Sequence, residues 1–224
     1  MPSMRTSPMR VILALVVGVG LGGLSAALAG DPVLPPPTGP VMLRVAPIRT
    51  DGLYRQSWFQ LSFLDLGEDF ADAKAAGKRL AVLFQQRGCV YCASLHDDVL
   101  AAKYINDYVL AVVQLDLWGA REVTDFDGTV LAERALAERW GVIFTPTIVF
   151  LKDDLAGLEG KWGRELEAIE RLPLSFSADT FYDLIVWVRL KLYQRDRNFQ
   201  RFHIARMAER EALKPVPDRP GRTN

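Results

Sequence analysis

Five apolar residues in a row, Leu80-Ala81-Val82-Leu83-Phe84, run toward a turn at Gly88 and then into Cys89-Val90-Tyr91-Cys92. A strand with no polar residue at alternate positions has no face to offer water, so both of its faces must be covered. That requirement points to a sheet flanked by helices, an α/β architecture. The surrounding pattern agrees. Leu66, Phe70, Ala73 and Ala76 fall near helical spacing and Gly77 follows, which predicts a helix over 66–76. The strand spans 79–85, and Cys89 opens a second helix reaching about Asn106. Residues 109–117 form another apolar strand, 131–140 a helix and 147–151 a third strand. Residues 152–172 read as a glycine-turned hairpin, and 178–194 as a long amphipathic helix capped by Ser177. The segment 51–63 mixes aromatic and polar residues and reads as a cover for the domain's surface or edge.

The two ends of the chain follow other rules. Arg5 and Arg10 give a short basic start, 11–24 is apolar or glycine throughout, and Ala27-Leu28-Ala29 supplies small residues for a signal peptidase. This predicts a signal peptide over 1–29, cleaved after Ala29, and export to the periplasm. The competing reading is a retained N-terminal membrane anchor, since 11–30 carries no charge and is just long enough to span. Its several glycines and the Pro32 that follows favour cleavage. Residues 30–50, with Pro35-Pro36-Pro37, read as a proline-rich linker before a domain over 51–194. Beyond it, Phe199, Phe202, Ala205 and Ala208 mark one face of a C-terminal helix within 195–213. The proline-containing stretch 214–224 has no apolar period and reads as a disordered tail. The 27 basic and 27 acidic residues cancel, so the chain lacks the concentrated positive field that nucleic acid would require.

The chain holds two cysteines, three positions apart. A disulfide between them closes almost no loop and adds little stability, so a purely structural bridge explains them poorly. Haem attachment needs a histidine where Ala93 stands. A zinc site would have to recruit His96 and His203, which are far apart in sequence, whereas such sites usually use a close histidine pair. A redox dithiol fits better, because Cys-x-x-Cys beside a βαβ pattern is the sequence form of such a site.

Phe144-Thr145-Pro146-Thr147 stands just before the third strand, after Trp140-Gly141-Val142. Together with the dithiol at the strand-to-helix junction, it resembles the two signatures of thioredoxin-fold thiol–disulfide oxidoreductases. The resemblance spans roughly 66–194. It implies a thioredoxin-like fold, a central mixed sheet flanked by helices, with an insertion between dithiol and proline and a C-terminal helical extension. The insertion, Gln114-Leu115-Asp116-Leu117-Trp118-Gly119 and then 122–128, stretches the dithiol-to-proline distance. In this it resembles the periplasmic thioredoxins encoded in bacterial sulfur-oxidation (Sox) gene clusters.

The resemblance implies roles. Cys89, at the mouth of the helix, is the nucleophile, with a thiol pKa lowered from about 8.5 toward the range of about 3.5 to 7.5. Cys92 resolves the mixed disulfide. Thr145 and a cis Pro146 expose backbone for an extended substrate strand. No cofactor and no metal is required. The implied partners are periplasmic proteins with oxidised or adducted cysteines, with a membrane thiol-electron transporter as reductant; oligomeric state is not indicated. Two departures from thioredoxins stand out: Leu83 occupies the place of their buried aspartate, and Gly88 that of the aromatic before the first cysteine. His96, four residues after Cys92, is either a substitute proton acceptor or a solvated or capping histidine. Trp118 and Trp140 read as packing residues, with Trp118 also placed to line the rim. The intervening Val90-Tyr91 fits a reductase, an oxidant or an isomerase, and a non-catalytic metal-binding module on the same fold is the alternative outside redox chemistry.

Overall fold

The computed structural model describes residues 48–106, 110–171 and 176–213. The expected signal peptide, nearly all of the linker and the tail lie outside them. The described part begins with a hairpin, β1 (Ile48–Thr50) and β2 (Leu53–Arg55). Helix α1 (Leu66–Ala75) follows, capped by Asp65, whose carboxylate accepts the Glu68 N–H at 3.0 Å. Strand β3 (Arg79–Gln85) is buried along its whole length.

The helix that opens at Cys89 is not uniform, contrary to the single run expected to Asn106. It comprises α2 (Val90–Ser94), a wider π-type turn over Leu95–Leu100, and a separate short α3 (Lys103–Asn106). In the wide turn the His96 carbonyl takes the Ala101 N–H, five residues on, and also accepts the Gln56 side-chain amide at 3.1 Å. A side chain reaching into the helical ladder is a known cause of such widening.

Strand β4 (Leu110–Asp116) lies parallel to β3, in register from Arg79 opposite Leu110 to Gln85 opposite Asp116. Part of the insertion forms a second hairpin, β5 (Glu122–Thr124) with β6 (Val130–Ala132), so α4 (Glu133–Arg139) starts two residues later than expected. Strand β7 (Thr147–Phe150) pairs antiparallel with β3, Thr147 opposite Phe84. Among the described residues the central sheet therefore runs β4-β3-β7, mixed, with β3 in the middle.

Alternate residues of β3 serve two separate cores, as the period of an extended strand requires. Ala81 and Leu83 pack with Leu95, Val99, Phe181 and Trp187 on one face. Leu80, Val82 and Phe84 pack with Leu66, Ala73, Leu136 and Trp140 on the other. The segment 51–63 lies over the first core: Phe59 is buried in it, and the Gln60 N–H donates to the Val112 carbonyl at 3.0 Å.

The hairpin expected over 152–172 does not form among the described residues. One isolated bridge joins Leu151 to Glu167, and a short helical turn covers Gly163–Leu166. Gly157, Gly160 and Gly163 all adopt positive φ, which breaks the extended backbone a second strand would need.

Helix α5 (Ala178–Arg189) is capped by Ser177 as expected but stops short of Gln194, because Lys191 turns left-handed at φ 55°. Helix α6 (Phe199–Ala212) follows. Its inner face is not the apolar row Phe199, Phe202, Ala205, Ala208, since the two alanines are exposed. Phe199 and Arg206 are buried, with Phe202, His203 and Arg210 partly so, because a fully buried Asp183 on α5 draws His203, Arg206 and Arg210 to its carboxylate. No helix of the described residues is long and apolar enough to cross a membrane.

Candidate functional site

The end of β3 delivers the chain to the site. Gly88 takes φ 71°, a left-handed turn that side chains resist, and Cys89 then caps the helical run. Cys89 and Cys92 are joined in a disulfide, with Cα atoms 5.2 Å apart. Both are buried, but unequally: Cys89 keeps 7% of its surface in water and Cys92 none. The Cys92 N–H points at Cys89 Sγ from 3.0 Å, so one of the unpaired donors of the helix's first turn is spent on that sulfur.

Because Thr147 sits opposite Phe84, the two residues before it flank the loop that leaves β3. The Thr145–Pro146 peptide is cis, and Thr145 donates its hydroxyl to Cys89 Sγ at 3.5 Å. The structure thus brings Cys89, Cys92, Thr145 and Pro146 together.

Leu83 is fully buried and β3 carries no carboxylate. His96 proves to be neither a solvated nor a capping histidine. It is fully buried, and both ring nitrogens are engaged: Nε2 with Gln85 Oε1 at 3.1 Å, Nδ1 with Gln56 Nε2 at 3.3 Å. Gln85 in turn donates to the Tyr54 carbonyl at 2.9 Å, which orients its amide so that His96 must donate from Nε2. The rings of Tyr54 and Phe59 lie 5.7 and 5.6 Å away. Burial pushes the His96 pKa down to about 4. A neutral ring with both nitrogens bonded is a poor receiver for the Cys92 proton, so the proton-acceptor expectation loses its geometric basis.

His203, the other histidine proposed for a metal site, lies on α6 with Nδ1 at 2.7 Å from Asp183 and Nε2 at 3.4 Å from Thr180 Oγ1. Each histidine is thus committed to a different set of side chains.

Trp140 is buried, as a packing residue should be, and its indole N–H donates to Asp125 at 3.1 Å. Trp118 is not packed. It stands exposed, its indole N–H donating to Gln86 Oε1 at 3.1 Å, just ahead of the dithiol loop. Sequence reasoning missed Gln56, Gln85 and Glu133. Gln85 was findable as the polar residue that closes an apolar strand on its dithiol side; Gln56 sits in a loop with no periodicity to mark it.

Residues 66–160 match the sequence model of a thioredoxin-like domain. The fold is thioredoxin-like. The matched stretch begins where α1 begins and contains both the dithiol and Thr145-Pro146. Solved structures similar to this chain include a thioredoxin-fold protein from Helicobacter pylori, 18% identical over 66% of this chain and 99% of that one, with a TM-score of 0.45. A thioredoxin from Thermus thermophilus is 24% identical over 55% and 83% of the two chains, with a TM-score of 0.41. An oxidoreductase named DsbH is 17% identical over 60% and 85%, with a TM-score of 0.40. No curated protein sequence matches the chain. The thioredoxin-like domain thus carries its cysteine pair as a disulfide at the strand-to-helix junction, with Cys89 the less buried of the two residues.

Proposed function

We propose that this chain is an exported thiol–disulfide oxidoreductase working as a reductase of cysteines on other periplasmic proteins. The observation that carries this reading is the environment of Cys89 Sγ. It caps the helical run, takes the Cys92 N–H at 3.0 Å and the Thr145 hydroxyl at 3.5 Å, and belongs to the less buried of the two cysteines. Those donors favour an anionic sulfur once the dithiol is reduced.

The reaction then balances as a two-electron exchange. The Cys89 thiolate attacks one sulfur of a partner disulfide, that bond breaks, and the departing thiolate takes a proton from solvent. Cys92 next attacks Cys89 Sγ, passes its proton to the partner sulfur it displaces, and leaves the Cys89–Cys92 disulfide behind. This route needs no side-chain base, in keeping with the saturated His96. Thr145 and Pro146 offer backbone beside the sulfur for an extended partner segment.

Resetting the disulfide requires an external dithiol, for which a membrane thiol-electron transporter is the natural class in an exported protein. The basic, apolar and small-residue pattern of 1–29 supports export. The resemblance of the insertion to Sox-cluster thioredoxins supports a partner of the sulfur-carrying kind, its carrier cysteine kept reduced.

A glutathione redox titration of the purified dithiol tests the direction. A potential near the thioredoxin value of about −270 mV supports the reductase, and one near about −120 mV replaces it with an oxidant. Stoichiometric zinc or copper in protein purified without added metal would replace both with a metal-binding module.

A further inference from the structure

Trp118 is 68% exposed, yet it is not loose. Besides the indole bond to Gln86, its backbone N–H donates to Asp116 Oδ1 at 3.0 Å. The loop beneath it is fastened to the start of α4. Glu133, itself buried, accepts the Asp116 N–H at 2.9 Å, the Arg121 N–H at 3.3 Å and the Arg121 guanidinium. The Arg134 N–H donates to the Gly119 carbonyl at 3.1 Å. Gly119 presses so closely on Glu133 that an added Cβ would come within 1.9 Å of Oε2. A lone exposed apolar residue is ordinary. An aromatic ring on a loop fastened in this way, its indole N–H bonded and most of its surface in water, is preorganised, which is the property of a binding anchor.

The register says what Trp118 borders. Gln85 pairs with Asp116, and the Leu117 N–H donates to the Gln85 carbonyl at 2.7 Å, so Trp118 lies against Gln86, three residues before Cys89. β7 runs along the opposite edge of β3 and brings Thr145-Pro146. The end of β3 that leads to Cys89, the less buried cysteine, is thus flanked by the indole on the β4 side and the cis peptide on the β7 side. Exposed Val90, Tyr91, Ile143 and Phe144 lie in the same two segments as the dithiol and the cis peptide.

We infer that Trp118 is a specificity-determining residue of the reductase reaction, on which this inference rests. It selects disulfides carried on an extended polypeptide with a bulky apolar side chain within about three residues of the cysteine. The distance from β7 to β4 is two strand spacings, roughly 10 Å, which about three extended residues span. A small disulfide such as glutathione's brings no such side chain and bypasses Trp118.

The test uses the full chain, pre-reduced, against three oxidants in single-turnover exchange: a disulfide-bridged peptide with Leu two residues from its cysteine, the same peptide with Ser there, and glutathione disulfide. Trp118→Ala lowers the rate on the Leu peptide by at least about tenfold, the scale of a binding anchor, and leaves the other two within about twofold. Trp118→Phe keeps most of the Leu-peptide rate. Equal loss on all three substrates, no loss on the Leu peptide, or a wild-type protein indifferent to the Leu-to-Ser exchange overturns the inference while the redox reading stands. A wild-type protein inert toward all three overturns the redox reading, and this inference with it.

Discussion

The two sides of the dithiol helix solve opposite problems. At its mouth, Cys89 and the cis Thr145–Pro146 peptide lie just below the surface, with an exposed indole nearby, held by a few bonds from neighbouring loops. One turn behind, Gln56, Gln85 and His96 are polar groups kept out of water and bonded to one another. Among the described residues Gln56 Oε1 is the atom of that set left without a partner. Trp118 is exposed and Thr145 adds a single side-chain bond to the sulfur, so changing such mouth residues should alter rate more than stability. Residues behind are sealed, so changing them should alter stability and its pH dependence while leaving the chemistry in place.

The largest effect tests the mouth. Cys89→Ser should abolish reduction of insulin disulfides, and Cys92→Ser should accumulate a mixed disulfide visible by mass spectrometry. A Cys89→Ser protein that still turned over would assign the attack to the wrong sulfur. Next comes the sealed side. The unfolded His96 ring takes a proton near pH 6.5 and the folded one only near 4, so between those values the unfolded chain binds more protons. Stability should fall as pH drops through that window, by about 3 kcal/mol from this residue. Urea midpoints near pH 7 and pH 4.5 should therefore differ less in His96→Asn than in the wild type, although the variant starts lower. Equal slopes would mean that the ring is not held neutral.

Glu133→Gln sharpens the comparison at the loop between the two sides. Weakening the bonds to Arg121 and Asp116 should cost about 1–2 kcal/mol in a urea titration while glutathione-disulfide exchange persists. Thr145→Ala should do least, slowing exchange by less than about fivefold, since one neutral hydroxyl is worth about 1 kcal/mol. A larger loss there would give Thr145 a part beyond its single bond to Cys89.

The same contrast explains what could be read from the sequence. Leu80 to Phe84 declared a strand covered on both faces, and the two cores on either side of β3 bear that out. Cys89 and Thr145-Pro146 were legible because backbone chemistry, a helix start and a proline, marks them locally. Glutamine and histidine have no period of their own, so the contact of Gln56 with His96, 40 residues apart, left no trace in the chain. The glycines of 157–163 fit a hairpin turn on sequence alone, but their spacing breaks the strand itself. The apolar periodicity of 199–208 misleads about the inner face of α6 for a related reason: a buried carboxylate, recruiting basic residues, sets its register.

That carboxylate also settles how far the folding unit reaches. Asp183 is out of water entirely, and the cationic groups that neutralise it come from α6. A chain trimmed at the end of α5 would strand a charge inside an apolar layer, one of the costlier defects a protein can carry. The helix past residue 198 is therefore a counter-ion for the domain and cannot be cut away as an appendage, so any shortened form should retain the sequence through Arg210.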